Sequence, residues 1–207
     1  MNREFKFLFP TPIFTSNLKS VLDIKTTLDT VKKLNNKDHN RTFVTHDKLH
    51  LEDDFKELVN VLNGEIQAYC NEIIFISFDD VVLTNMWGII HTGHSYHQRH
   101  MHPNSFISGV LHLEVPTTPK DKNEGLLIFY DPKIGRQSMM PSVKEVNSLT
   151  TIQHHYEPEE GKLVVFPSYL EHSIELMDLK ELTRVSIAFN YSIISSEVST
   201  AKFNFKK

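Results

Sequence analysis

Five histidines, His91, His94, His97, His100 and His102, fall within twelve consecutive residues. The chain has 12 histidines in 207 residues, and even spreading would place about 0.7 in such a window. Neutral imidazole is a good ligand for divalent transition metals, so this density marks a candidate metal centre. Read as a strand, His94, Tyr96, Gln98, His100 and His102 share one face, because side chains alternate. His100 and His102 then stand side by side, where both can reach one ion. Pro103 ends the strand. His97 and Arg99 fall on the opposite face and are not expected to ligate. His91 and His94 either stand behind the ligands, face the substrate or are merely exposed, and exposure is the preferred reading. The plain alternative is a polar strand face in water, and only a third ligand from elsewhere decides against it.

His172 is the candidate third ligand. It follows a turn at Gly161, an apolar run Leu163-Val164-Val165-Phe166 and a stop at Pro167. A rigid corner thus holds it at the start of the next extended segment. Taken alone, it reads equally well as an ordinary loop histidine. Further on, Val185, Ile187, Phe189 and Tyr191 alternate with Arg184, Ser186, Ala188 and Asn190. An arginine and a serine two positions apart on one face can grip a carboxylate, the guanidinium bidentate and the hydroxyl adding a donor. Without the histidines, that face would read as solvated sheet.

These side chains need a scaffold. Phe7 to Phe14 carries Pro10 and Pro12 and reads as an extended edge segment. Leu18, Val21, Ile24, Leu28, Val31 and Leu34 recur at steps of three and four, which predicts an amphipathic helix ended by Asn35 to Asp38. Phe55, Leu58, Leu62, Ile66, Tyr69 and Ile73 predict a second, with Glu52, Asp53 and Asp54 at its positive end. After about residue 75 the pattern becomes β-rich: Val81 to Ile90, Ser105 to Val115, Gly125 to Tyr130, Gly161 to Phe166 and Thr183 to Ile193. With no helices between them, these runs predict an antiparallel sandwich or barrel. Pro116 to Glu124 and much of Lys133 to Ser148 read as loops. Residues 1–207 read as one domain, helical over about 15–75 and β over about 80–195.

Composition bounds the function. Apolar residues make up 40% and charged residues 23%, which is ordinary globular usage and excludes disorder over most of the chain. No apolar run approaches a membrane span. The first residues show no secretion signal, and Cys70 is the only cysteine, so a cytoplasmic protein without disulfides is expected. A net charge of −4 offers no field for nucleic acid. Lys202, Lys206 and Lys207 read as a solvated tail.

Taken together, His100-Met101-His102, the run from Phe166 to His172, and Arg184-Val185-Ser186 resemble the 2-oxoglutarate/Fe(II)-dependent oxygenases. The order of blocks is similar to a small subfamily, many of whose members are phage or marine bacterial. Its marks here are Phe9-Pro10-Thr11-Pro12, His100 to Ser105 followed by Ser108-Gly109-Val110, the Gly125 to Pro132 block, and Arg184 to Asn190. The resemblance covers nearly the whole chain. It implies a mainly β fold with N-terminal helices, a double-stranded β-helix or jelly roll. It implies Fe(II), 2-oxoglutarate and O₂, and the oxidation of a C–H bond coupled to decarboxylation of 2-oxoglutarate to succinate. By resemblance His100 and His172 bind iron, Arg184 takes the distal carboxylate of 2-oxoglutarate with help from Ser186, and His112 stands where the family often has a tyrosine. The substrate, a small molecule or a protein, stays open, as does a homodimer.

One departure matters. The usual carboxylate ligand is replaced by His102. Ligation by His102 is the preferred reading; a carboxylate from elsewhere, such as Asp131, or a site that no longer activates oxygen, are the alternatives. Two other functions compete. A cupin-type enzyme shares the fold but lacks the Arg-x-Ser anchor. A jelly roll can also be a binding or structural module without catalysis.

Overall fold

A computed structural model describes residues 4, 9–35, 42–74, 76, 78–116, 124–133, 135, 138–139 and 141–195, without the side chains of residues 180 and 181. Phe7, the three C-terminal lysines and most of the loop after Pro116 lie outside these residues.

The first helix, α1 (Ile24–Lys33), is set by Asp23, whose carboxylate accepts from the Thr26 N–H at 3.0 Å and the Thr26 hydroxyl at 2.7 Å. Periodicity predicts one helix from Leu18 to Leu34. The structure makes a short 3-10 turn at Leu18–Ser20, leaves Val21 exposed and restarts at Ile24. Asn17 and Asp23 each cap their own N-terminus, and two caps so close cannot lie within one helix. The second helix, α2 (Lys56–Ala68), ends in a single π turn over Tyr69–Ile73. Its apolar stripe, Leu58, Leu62 and Ile66, is fully buried, at roughly 1.5–3 kcal/mol of transfer free energy per side chain.

The strands are β1 (Phe14–Asn17), β2 (Phe43–Val44), β3 (Asp80–His100), β4 (Ile107–Glu114), β5 (Leu127–Tyr130), β6 (Gln153–Tyr156), β7 (Lys162–Pro167) and β8 (His172–Ile194). They pair antiparallel in the order β1-β7-β4-β8-β3-β2, with β5 joined to β8 and carrying β6. Strands β3 and β8 run far longer than their apolar cores suggest and serve two sheets. The C-terminal part of β8 lies between β4 and the first half of β3, whereas its first residues pair β5. The polar strand β6 carries no alternating apolar signal, and the sequence does not announce it.

Two sheets sharing β3 and β8 therefore face each other. Between them pack Leu127 and Phe129 from one side and Val164 and Phe166 from the other, closed by Leu170, Ile174, Met177 and Leu179. The outer face of the larger sheet packs Ile107, Leu111, Val185, Ile187 and Phe189 against Leu18, Val31, Leu58, Leu62 and Ile66. At Gly109 a Cβ would run into the Phe189 ring, so only glycine admits that contact. The fold is mainly β, a jelly roll with helices buttressing one sheet. No helix among the described residues is long and apolar enough to cross a membrane.

Candidate active site

The inner face of the larger sheet carries polar groups in register. His91 on β3 lies opposite Arg184 on β8, and Ser186 on β8 lies between Ile89 on β3 and His112 on β4. Asn190 lies opposite Ser108 on β4. Arg184, Ser186, Ala188 and Asn190 are all buried. The alternation read in the sequence is correct, and the polar face looks inward.

At one end of this interior sit His100, His102 and His172, with one ligand atom from each within 4.8 Å of the other two. His100 is the last residue of β3 and pairs directly with His172, the first of β8. His102 lies just beyond β3, pinned by its backbone N–H to the Ser168 carbonyl at 3.0 Å. Its Nε2 is 3.3 Å from Nε2 of His172. Two nitrogens at right angles around an ion at about 2.1 Å would stand about 3 Å apart.

Each ring is oriented from behind. Nδ1 of His100 lies 2.7 Å from the Gln98 carbonyl, and Nδ1 of His172 lies 3.0 Å from the Leu170 carbonyl. A carbonyl can only accept, so both rings carry their proton on Nδ1 and present a lone pair at Nε2. His102 hydrogen-bonds the Asn190 amide, whose Oδ1 accepts from Ser108 Oγ at 2.7 Å. Ser108 in turn meets Ser168 at 2.7 Å. Burial, reinforced by the neighbouring imidazoles, pushes His172 down to about 3 and His102 to about 4. Both rings are neutral at pH 7, the form that ligates.

Towards the other end lies Arg184, 1% exposed. Its Nη1 donates to the Gly125 carbonyl at 2.5 Å and touches Met177 Sδ at 3.4 Å. Its Nε and Nη2 have no partner, and neither does Ser186 Oγ. Among the described residues no carboxylate pairs with this guanidinium. Burial lowers its pKa to about 10, so the charge is kept at pH 7.

Several expectations need correction. His91 is not exposed: it is fully buried beside Arg184. Counting by two from Trp87 and Ile89 would have placed it inward. His97 does not face away, because its ring packs on His100 with centroids 4.7 Å apart. Bulges between Thr92 and His94, Ser95 and His97, and His97 and His100 break the alternation, and the sequence carries no clear sign of them. Trp87 stacks on His102 at 5.8 Å. His94 is exposed as expected and faces Asp178 at 3.5 Å. Asp131 is not in the cluster; its Oδ1 caps its own loop by accepting from the Lys133 N–H at 3.0 Å. Tyr96 and Tyr169 are exposed, and Tyr130 lies under the Arg99 guanidinium and bonds Ser173. A groove of about 590 Å³ runs along Phe129, Tyr156 and Leu170, yet none of the three clustered histidines and not Arg184 lines it.

A family model described as "Putative 2OG-Fe(II) oxygenase" matches residues 85–190, just over half of the chain. The chain belongs to this oxygenase family. Among solved structures, a prolyl-4-hydroxylase of Pseudomonas putida is similar with a TM-score of 0.59 and 13% identity, covering 90% of this chain and 94% of that one. HygX of Streptomyces hygroscopicus with iron bound has a TM-score of 0.58 and 14% identity, covering 88% and 82%. SnoN from nogalamycin biosynthesis, a non-heme alpha ketoglutarate dependent epimerase, has 0.60 and 12%, covering 88% and 76%. At such identities these likenesses establish the fold. Comparison with curated protein sequences returns no match.

The oxygenase therefore works with Fe(II), 2-oxoglutarate and O₂, and family membership decides against the cupin and non-catalytic readings. Its interior fits both groups. Neutral imidazoles with free lone pairs suit Fe(II). The unpartnered donors of Arg184 and Ser186 suit a carboxylate; buried polar atoms left unpaired cost about 1–3 kcal/mol each. When bound, iron and 2-oxoglutarate would supply the activation of O₂, the oxidant. The chain supplies ligands, orientation and a dry interior.

Proposed function

We propose that His100, His102 and His172 hold the iron as a three-histidine face, and that Arg184 with Ser186 takes the distal carboxylate of 2-oxoglutarate. The carrying observation is the joint geometry: three imidazole nitrogens within 4.8 Å at one end of the interior and a guanidinium with Nε and Nη2 unpartnered on the same inner face. His112, register partner of Ser186, flanks the anchor. Without a carboxylate ligand the iron keeps its full charge, which strengthens its hold on the anionic cosubstrate. The product of the reaction is a hydroxylated C–H position. The substrate is a small molecule or a protein side chain, because the net charge of −4 disfavours nucleic acid. A reducing, cytoplasmic setting suits both Fe(II) and a lone buried cysteine.

The test is an anaerobic titration of metal-free protein with Fe(II) and then 2-oxoglutarate. A weak visible charge-transfer band that requires both additions is expected, and Arg184→Ala should abolish it at moderate 2-oxoglutarate. Iron binding with no band on adding 2-oxoglutarate would overturn the anchor. Failure to bind iron would overturn the histidine face.

A further inference from the structure

Two of the three clustered histidines are aimed in the same way. Nδ1 of His100 and Nδ1 of His172 each meet the carbonyl two positions back, that of Gln98 and that of Leu170. The residue between carbonyl and imidazole is Arg99 in one strand and Glu171 in the other, and these two are ion-paired. Arg99 Nε donates to Glu171 Oε2 at 3.1 Å, and Nη2 donates to the same oxygen. Alternation turns both side chains away from the face that carries His100 and His172. The Arg99 guanidinium lies 4.0 Å from the centroid of the Tyr130 ring. Tyr130 is itself tied to β8 twice. Its N–H donates to the Glu171 carbonyl at 3.0 Å, and its hydroxyl lies 2.9 Å from Ser173 Oγ. Three strands, β3, β8 and β5, thus meet on the back of one pair of histidines.

The backbone gives little help at this point. The β3–β8 ladder shifts register between Ser95 and His97 and again between His97 and His100. In the second shift Gln98 and Arg99 of β3 span the same interval as Ser173 alone of β8. A bulge leaves ladder hydrogen bonds unmade and bends its strand, and the Gln98 carbonyl that aims His100 lies inside it. A slip of one residue would turn His100 to the outer face. Side chains must therefore hold the register here. The Arg99 and Glu171 side chains are 37% and 34% exposed, and an ion pair so exposed adds little to global stability. Its effect is local, on how two imidazoles stand to each other.

We propose that the Arg99–Glu171 pair, seated on Tyr130, is a clamp that fixes His100 against His172 and so sets the metal affinity and ligand geometry of the site. Both are positioning residues. The inference rests on His100, His102 and His172 as the metal face. A clamp and a plain electrostatic field differ in sign at one residue. As a field on a bound cation, the carboxylate attracts and the guanidinium repels, so loss of Arg99 would tighten metal binding. As a clamp, loss of either partner weakens it.

The test uses the full metal-free chain titrated with Co(II), reading affinity and the visible absorption of the bound ion. Arg99→Gln and Glu171→Gln should each weaken Co(II) about tenfold, the lower end of the range for groups that support metal ligands, and should change the absorption band. The double variant should lose no more than either single one, because both remove the same contact. Arg99→Lys keeps the charge and should recover part of the loss. Unfolding temperatures should stay close to wild type in all four, which separates a local effect from a folding defect. Tighter Co(II) binding in Arg99→Gln, wild-type affinity in both single variants, or losses that add in the double variant would overturn the clamp. His172→Ala in the same series separates the readings. Stoichiometric Co(II) there removes the histidine face itself, whereas a loss there with wild-type binding in Glu171→Gln removes only the clamp.

Discussion

Nε2 of His102 and Nε2 of His172 stand 3.3 Å apart although 70 positions separate the residues in sequence. Two independent tethers produce this. The Ser168 carbonyl holds the backbone of His102, and the Leu170 carbonyl holds the ring of His172. Both carbonyls belong to the corner after β7, so one turn sets the distance between the two imidazoles.

Removing His172 should therefore remove the metal. His172→Ala is expected to lose stoichiometric Fe(II) while keeping its circular dichroism spectrum, and His94→Ala, exposed beside Asp178, should keep its iron. Equal metal content in wild type and His172→Ala would take His172 out of the site.

Arg184→Ala should weaken 2-oxoglutarate by about 2–3 kcal/mol, the scale of a charge-assisted pair, with iron affinity retained. Calorimetry on the iron-loaded protein without oxygen reads both numbers. A variant that binds 2-oxoglutarate as tightly as wild type would sink the anchor.

Asn190 connects His102 to Ser108 and Ser168. Loss of such a partner behind a metal ligand commonly costs about 10–100-fold in metal affinity. Asn190→Ala should show this as a weaker Fe(II) dissociation constant with little change in fold. Unaltered affinity would mean that Trp87, stacked on the other side of the ring, is enough to hold His102.

Gly125 has φ +67, and a Cβ there would stand 2.9 Å from Met177 Sδ and 3.0 Å from Arg184 Nη1. Its carbonyl holds the guanidinium. Gly125→Ala is expected to cost about 1–2 kcal/mol in backbone strain and to weaken 2-oxoglutarate several-fold by moving Arg184. Thermal unfolding and cosubstrate titration measure the two effects; wild-type values in both would refute the role given to this carbonyl.

The metal-free protein should be acid-labile. Burial holds His91 near 3, His102 near 4 and His172 near 3, whereas each titrates near 6.5 when unfolded. As pH falls, the unfolded chain takes up protons that the folded chain refuses. The stability is thus fully present above about pH 6.5 and is lost towards pH 4. Each such group costs about 1.4 kcal/mol per pH unit in that window. Urea midpoints should fall from neutral pH to pH 5. A midpoint independent of pH in the metal-free protein would contradict the buried, neutral state of these rings.

Much of this was legible in the sequence because it rests on local rules. Alternation from Thr183 to Tyr191 fixes which side chains share a face with Arg184, whatever that face meets. The density of histidines before Pro103 and the corner before His172 mark candidate ligands by chemistry and turn geometry. The tertiary structure decided the rest. It turned the Arg184 face inward, because β8 is long enough to serve two sheets and its polar side is enclosed between them. It brought His97 onto His100, because bulges in β3 break a period of two that sequence reading must assume. It supplied β6, Asn190 behind His102 and the Gly125 carbonyl on Arg184, all set by contacts between distant segments. Residue type and spacing name the groups that can bind; only the pairing of strands sets which of them lack a partner.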